Sequence, residues 1–176
     1  MSAGHTPIVS SAHLAAGRAA ELSEFEYGLI VADHAFARWI VRCMAAAGQG
    51  ELGALDVLVL HSVNHRGRAK RLADLSFVLN VEDTHTVTYA LKKLARLGLV
   101  EGRRRGKEMF YATTEAGRGA CERYRDVREA CLIQALDALG QGGLTAEERA
   151  RIADLAGLLR ALSGLYDQAA RAAASL

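Results

Sequence analysis

RGRAKRLADLSFVLNVEDTHTVTYALKKLARLGLVEGRRRGK, running from Arg66 to Lys107, decides how this chain is read. It holds eleven basic residues (Arg66, Arg68, Lys70, Arg71, Lys92, Lys93, Arg96, Arg103, Arg104, Arg105, Lys107) against four acids (Asp74, Glu82, Asp83, Glu101), a net +7. The whole 176-residue chain carries only +2, so the remainder sums to −5. A near-neutral protein that gathers its cations on one stretch has an electrostatic footprint suited to phosphate backbones.

The same stretch has an ordered pattern. Arg68 to Leu79 fits a short helix with Leu72, Leu75 and Leu79 inward and basic residues at its start. Asn80 to Asp83 is a tight connection ending in an N-cap, Asp83. Val87, Leu91 and Leu94 then mark the buried face of a helix over about Thr84 to Leu97, closed by Gly98. Its opposite face carries His85, Tyr89, Lys92 and Arg96, with Thr84 and Thr88 beside them. Leu99 to Glu101 and Met109 to Thr113 are β-prone runs joined by the loop Gly102 to Lys107, which reads as a basic hairpin.

Outward from this centre the chain is helical. Leu22, Phe25, Leu29, Ala32, Phe36, Ile40 and Cys43 form one apolar stripe on a long helix ending at Gly48 to Gly50. Leu55, Leu58, Val59 and Ser62 give a second helix, closed by Asn64 to Gly67. Beyond the hairpin, Thr114 to about Leu139 is a long helix, broken at Gly140 to Gly143. The Thr145–Glu148 capping box starts the last helix, with Ile152, Leu155, Leu159, Leu162 and Tyr166 inward. Residues 1–17 read as a flexible arm.

A helix pair followed by a basic β-hairpin is the winged helix-turn-helix plan, in which the second helix enters the major groove. Thr and His near a helix N-terminus reach base edges or phosphates, and three arginines on a hairpin tip suit a narrow minor groove. An arginine run alone is ordinarily a solvated loop. The reading rests on its combination with the charge asymmetry and the order of elements.

Composition sets the bounds. About half the residues are apolar and a quarter charged, and Pro7 is the one proline, so long helices run uninterrupted. No apolar run reaches the roughly 18 residues of a membrane helix, and the start lacks signal-peptide features, so a cytoplasmic protein without membrane contact is expected. Cys43, Cys121 and Cys131 lie in helical patterns and do not suggest a disulfide framework. There is no Gly-rich phosphate loop, no Gly-x-Ser-x-Gly and no His-Glu-x-x-His, so no enzyme and no cofactor is expected.

The stretches Arg71–Leu75, Thr86–Thr88, Leu91–Leu94, Leu97–Glu101 and Thr113–Gly117 resemble the MarR family of winged-helix transcriptional regulators. The resemblance covers about Leu52 to Leu165. The connection before the recognition helix is about one residue longer than that family's, and Arg103 to Lys107 replace its Asp-x-Arg wing tip.

The resemblance implies a mainly α fold with a small β-hairpin wing, a winged helix-turn-helix (51–114) flanked by long dimerisation helices (18–50 and 115–176). It implies a homodimer on a pseudo-palindromic double-stranded operator, more often a repressor. Thr84, His85, Thr86, Thr88 and Tyr89 would face the major groove. Lys92 and Lys93 would bind phosphates, supported by Arg68 and Lys70, and Arg103, Arg104, Arg105 and Lys107 would form the wing contact. A small aromatic effector is common in that family, and His34, Arg38, Trp39 and Tyr124 are the candidates to line its cleft, although Phe36 and Trp39 also read as ordinary core. A protein–protein module without DNA reading is the competing class.

Two sensor readings are weaker. His61 and His65 stand four apart, a spacing that can hold Zn2+, but two ligands fall short of the usual three or four, so no metal is expected. The cysteines fit small buried hydrophobes better than redox sensors.

Overall fold

The computed structural model describes residues 6–138 and 143–176, arranged as two units, Met1–Val127 and Arg128–Leu176. In the first unit, α1 (Ala12–Ala15) precedes α2 (Ala20–Ala46), α3 (Ala54–Asn64), β1 (Lys70–Arg71), α4 (Leu72–Leu79) and α5 (Thr84–Arg96). β2 (Val100–Arg105), β3 (Glu108–Thr113) and α6 (Glu115–Arg128) follow. The three strands form an antiparallel sheet in the order β1-β3-β2. In the second unit the chain runs through a π-helical turn (Glu129–Ile133), α7 (Gln134–Asp137) and α8 (Ala146–Ala173). The expected helix end at Leu139 and break at Gly140 to Gly142 lie outside the described residues, as do residues 1–5 of the expected arm.

The core sits around α3, which packs on α2, α4, α5 and β3. A helix enclosed on so many sides is apolar nearly all round, and Val57, Val59, Leu60 and Val63 are all buried. Val87, Ala90, Leu91 and Leu94 of α5 close against it, with Leu75 of α4 and Met44 of α2. The α2 stripe is buried only at its end, at Ile40 and Cys43. Leu22, Leu29 and Phe36 are exposed, so the core reading fails for Phe36, while Trp39 does pack on the core edge. The residues expected inward on α8 are likewise not buried within the chain: Ile152 is 51 % and Leu155 48 % exposed.

Two local expectations are corrected. The segment from Arg68 to Arg71 is not helical. Arg68 is extended, and Lys70–Arg71 form a strand paired with Tyr111 and Phe110. The helix begins at Leu72 because Asp74 accepts the Arg71 backbone N–H (3.1 Å), closing the N-terminus at that point. The wing also has no six-residue loop. Its strands continue to a two-residue turn, Gly106–Lys107, with Gly106 at φ +62° in the left-handed position such a turn requires.

Candidate nucleic-acid interface

The recognition helix starts on a cap. Asp83 Oδ1 accepts the His85 N–H at 2.9 Å, satisfying one open donor at the helix start. Asn80 ends α4 in the left-handed conformation (φ 51°), which asparagine tolerates, and turns the chain from α4 into α5. With Val87, Leu91 and Leu94 inward, helical spacing leaves Thr84, His85, Thr86, Tyr89 and Lys92 exposed. Tyr89 is 71 % exposed, and the Lys92 ammonium stands 5.8 Å from its ring centroid. Thr86 Oγ1 donates to Asp83 O (2.7 Å) and half-buried Thr88 Oγ1 to Thr84 O (2.9 Å), so both threonines retain acceptor lone pairs only.

Two cations expected at this surface are committed internally. The Lys93 ammonium lies 2.6 Å from Asp56 of α3, whose carboxylate also accepts the Gly53 N–H (2.8 Å). It ties α5 to α3 and is not part of the outer face. Lys70 is buried, and its ammonium donates to the carbonyls of Val63 (3.0 Å), His65 (2.5 Å) and Arg68 (3.2 Å). It closes the C-terminal end of α3. Burial, with Arg68 and Arg66 nearby, lowers its pKa. Neither residue is placed to hold an external phosphate, whereas Arg68 is exposed and without an ion-pair partner among the described residues.

The wing arginines do not share a tip. They lie along β2 opposite Phe110, Met109 and Glu108, so Arg103 and Arg105 project to one face and Arg104 to the other. Arg103 pairs with Glu101 (2.9 Å), Arg104 Nε donates to Gly106 O (3.2 Å), and Arg105 lies 5.2 Å from the Phe110 ring centroid. Lys107 occupies the turn and is exposed.

A residue missed in the sequence holds the wing to the helix pair. Arg71 Nη2 meets Asp74 (2.9 Å) and its Nη1 meets Glu108 of β3 (3.1 Å), joining β1, α4 and β3. These hydrogen bonds lower the Asp74 pKa. The signal was available, since an acid three residues after the helix boundary is a capping pattern. Phe77, 86 % exposed near the end of α4, was also passed over; it falls off the Leu72–Leu75–Leu79 stripe.

The effector candidates are not gathered into one cavity. His34 and Arg38 are exposed, whereas Trp39 and Tyr124 pack on the core edge. A shallow recess includes Arg38 but none of the other three. The His61 ring meets Tyr124 edge-on (centroids 4.5 Å), and burial lowers the His61 pKa, while His65 is exposed at the end of α3. Among the described residues no three His, Cys, Asp or Glu side chains cluster as a metal site. Cys43 and Cys121 are buried, and desolvation pushes the Cys121 thiol up to about 11, whereas Cys131 is exposed, against the expectation of a buried hydrophobe.

A sequence-family model described as a winged helix DNA-binding domain matches residues 52–117. That match spans α3 through the start of α6, the same helix pair and wing. Residues 52–117 are a winged helix domain, carried in the fold of the MarR regulators. A MarR-family regulator from Rhodococcus sp. RHA1 is similar at TM-score 0.63 and 12 % identity, over 84 % of this chain and 96 % of that one. Streptococcus pneumoniae FabT, solved in complex with DNA, matches at TM-score 0.61 and 19 % identity, over 80 % and 95 %. A mutant E. coli MarR complexed with operator DNA matches at 0.57 and 23 %, over 75 % and 93 %. These likenesses establish the fold. No curated protein matches the sequence. Among the described residues, no helix of this MarR-like chain is long and apolar enough to cross a membrane.

Proposed function

We propose that the protein is a cytoplasmic transcriptional regulator that binds a pseudo-palindromic double-stranded operator as a homodimer, more often as a repressor released by a small effector. The observation that carries this reading is the outer face of α5. Thr84, His85, Tyr89 and Lys92 project from the outer face of a helix capped at its N-terminus, and the basic wing follows two residues after the helix turn. Thr84, His85 and Tyr89 are assigned to base edges, with Lys92, Arg68, Arg103, Arg105 and Lys107 on phosphates. The similar folds of FabT and the E. coli MarR mutant, both solved in complex with DNA, support it.

The homodimer is supported by apolar surface that the chain does not cover. On α2, Ile30, Val31 and Phe36 are 49 %, 52 % and 53 % exposed, and α8 has no buried residue while carrying Leu158 and Leu165 at 50 % and 55 %. Surface of that extent is what an obligate partner covers.

Selection of bound genomic fragments, followed by competition with random duplexes, tests the reading. Enrichment of a two-fold repeated site is expected. Equal retention of all sequences, or none, would overturn it.

A further inference from the structure

The wing sets an arginine and a glutamate face to face and does not pair them. β3 is the central strand, so Glu108 has Arg105 of β2 directly opposite on one side and Arg71 of β1 diagonally placed on the other. Directly opposed side chains stand about 5 Å apart at Cβ, and opposite charges placed so attract one another. Here the Glu108 carboxylate instead accepts a hydrogen bond from Arg71 Nη1 at 3.1 Å. Asp74 decides that choice. It accepts from Arg71 Nε (3.2 Å) and Nη2 (2.9 Å), a two-bond hold that fixes the guanidinium with Nη1 at Glu108.

The arginine left over is Arg105. Of the two arginines that β2 projects to this face, Arg103 pairs with Glu101 of its own strand at 2.9 Å. Arg105 lies over the Phe110 ring, 5.2 Å from its centroid, with no ion-pair partner among the described residues. A guanidinium stacked on a ring keeps its charge and its N–H fork for an incoming phosphate.

We propose that Arg71 is a positioning residue for DNA binding: by holding Glu108 it keeps Arg105 unpaired for a phosphate, without meeting DNA itself. Once Arg71 is replaced, Glu108 pairs with Arg105 across the hairpin and the wing loses one effective cation. The inference rests on the DNA reading, which gives Arg105 a phosphate.

The test is a cycle of four full-length proteins: the wild type, Arg71→Gln, Glu108→Gln and the double variant. Each is titrated with duplex DNA of random sequence across a salt series, because phosphate contacts dominate such binding. Arg71→Gln should lower the slope of log K against log salt by nearly one unit and weaken binding about fivefold at physiological salt. Glu108→Gln alone should leave the slope at the wild-type value, and the double variant should recover it. Damage to the fold is not repaired by removing a second charge, so recovery separates positioning from stability. A double variant as weak as Arg71→Gln places Arg71 itself on a phosphate and overturns the proposal. An Arg71→Gln slope equal to that of the wild type overturns it too. A wild type that retains no duplex sinks the regulator reading on which the inference stands.

Discussion

Gly117 shows how a short motif acts through geometry. A Cβ at this position would stand 2.0 Å from the Leu99 carbonyl oxygen, which cannot yield without moving the start of the wing. Thr114 completes the junction. Its hydroxyl donates to Gly98 O (2.6 Å) and accepts the Gly117 N–H (3.1 Å), so the cap of α6 is bonded to the end of the recognition-helix turn. Gly117→Ala should therefore destabilise the fold by about 1–3 kcal/mol, the usual cost of overpacking. Equilibrium urea unfolding measures it, and an unchanged midpoint would refute the contact. His61 supplies a pH prediction. Its folded pKa is depressed by burial, so below the ordinary imidazole value of about 6.5 the unfolded chain takes up the proton more readily. Stability falls as pH drops from that value through the folded pKa. The melting temperature should decrease from pH 7.5 to pH 5.5, and His61→Gln should flatten that decrease. An equal slope in both proteins would place the titrating group elsewhere.

At the scale of elements, the α3–α5 contact separates stability from recognition. Lys93 and Asp56 form a partly buried pair at 2.6 Å, so Lys93→Ala should cost on the order of 1 kcal/mol of stability and leave the salt dependence of DNA binding unchanged. A reduced slope on salt titration would return Lys93 to the DNA surface. The inner face of α5 was legible in the sequence because Val87, Leu91 and Leu94 keep helical spacing. Asp83 was legible as a cap for the same local reason. Lys93 was not, since its assignment depends on an acid 37 residues earlier. Lys70 was misread likewise, because charge alone does not reveal that three backbone carbonyls surround it. β1 escaped notice because two residues carry no periodicity, and their pairing with Tyr111 and Phe110 is non-local. The wing arginines were visible as charge, but their alternation about β2 follows from pairing register.

For the whole molecule, apolar residues on α2 and α8 that a lone chain leaves exposed make self-association the expected state. Sedimentation should give a dimer at micromolar concentration. Phe36→Glu or Leu158→Glu should shift the protein toward monomer and weaken operator binding with it, since each half-site then binds alone. A stable monomer that retains full operator affinity would contradict the paired arrangement.

The proposed DNA binding rests on exposed cations of α5 and the wing meeting phosphates. Its most direct test is DNA affinity by fluorescence anisotropy across a salt series, for the wild type and for the double variant Arg103→Ala, Arg105→Ala. The slope of log K against log salt should shrink by nearly one unit per lost contact, roughly two units for the pair. A slope equal to that of the wild type would contradict the placement of this surface on DNA.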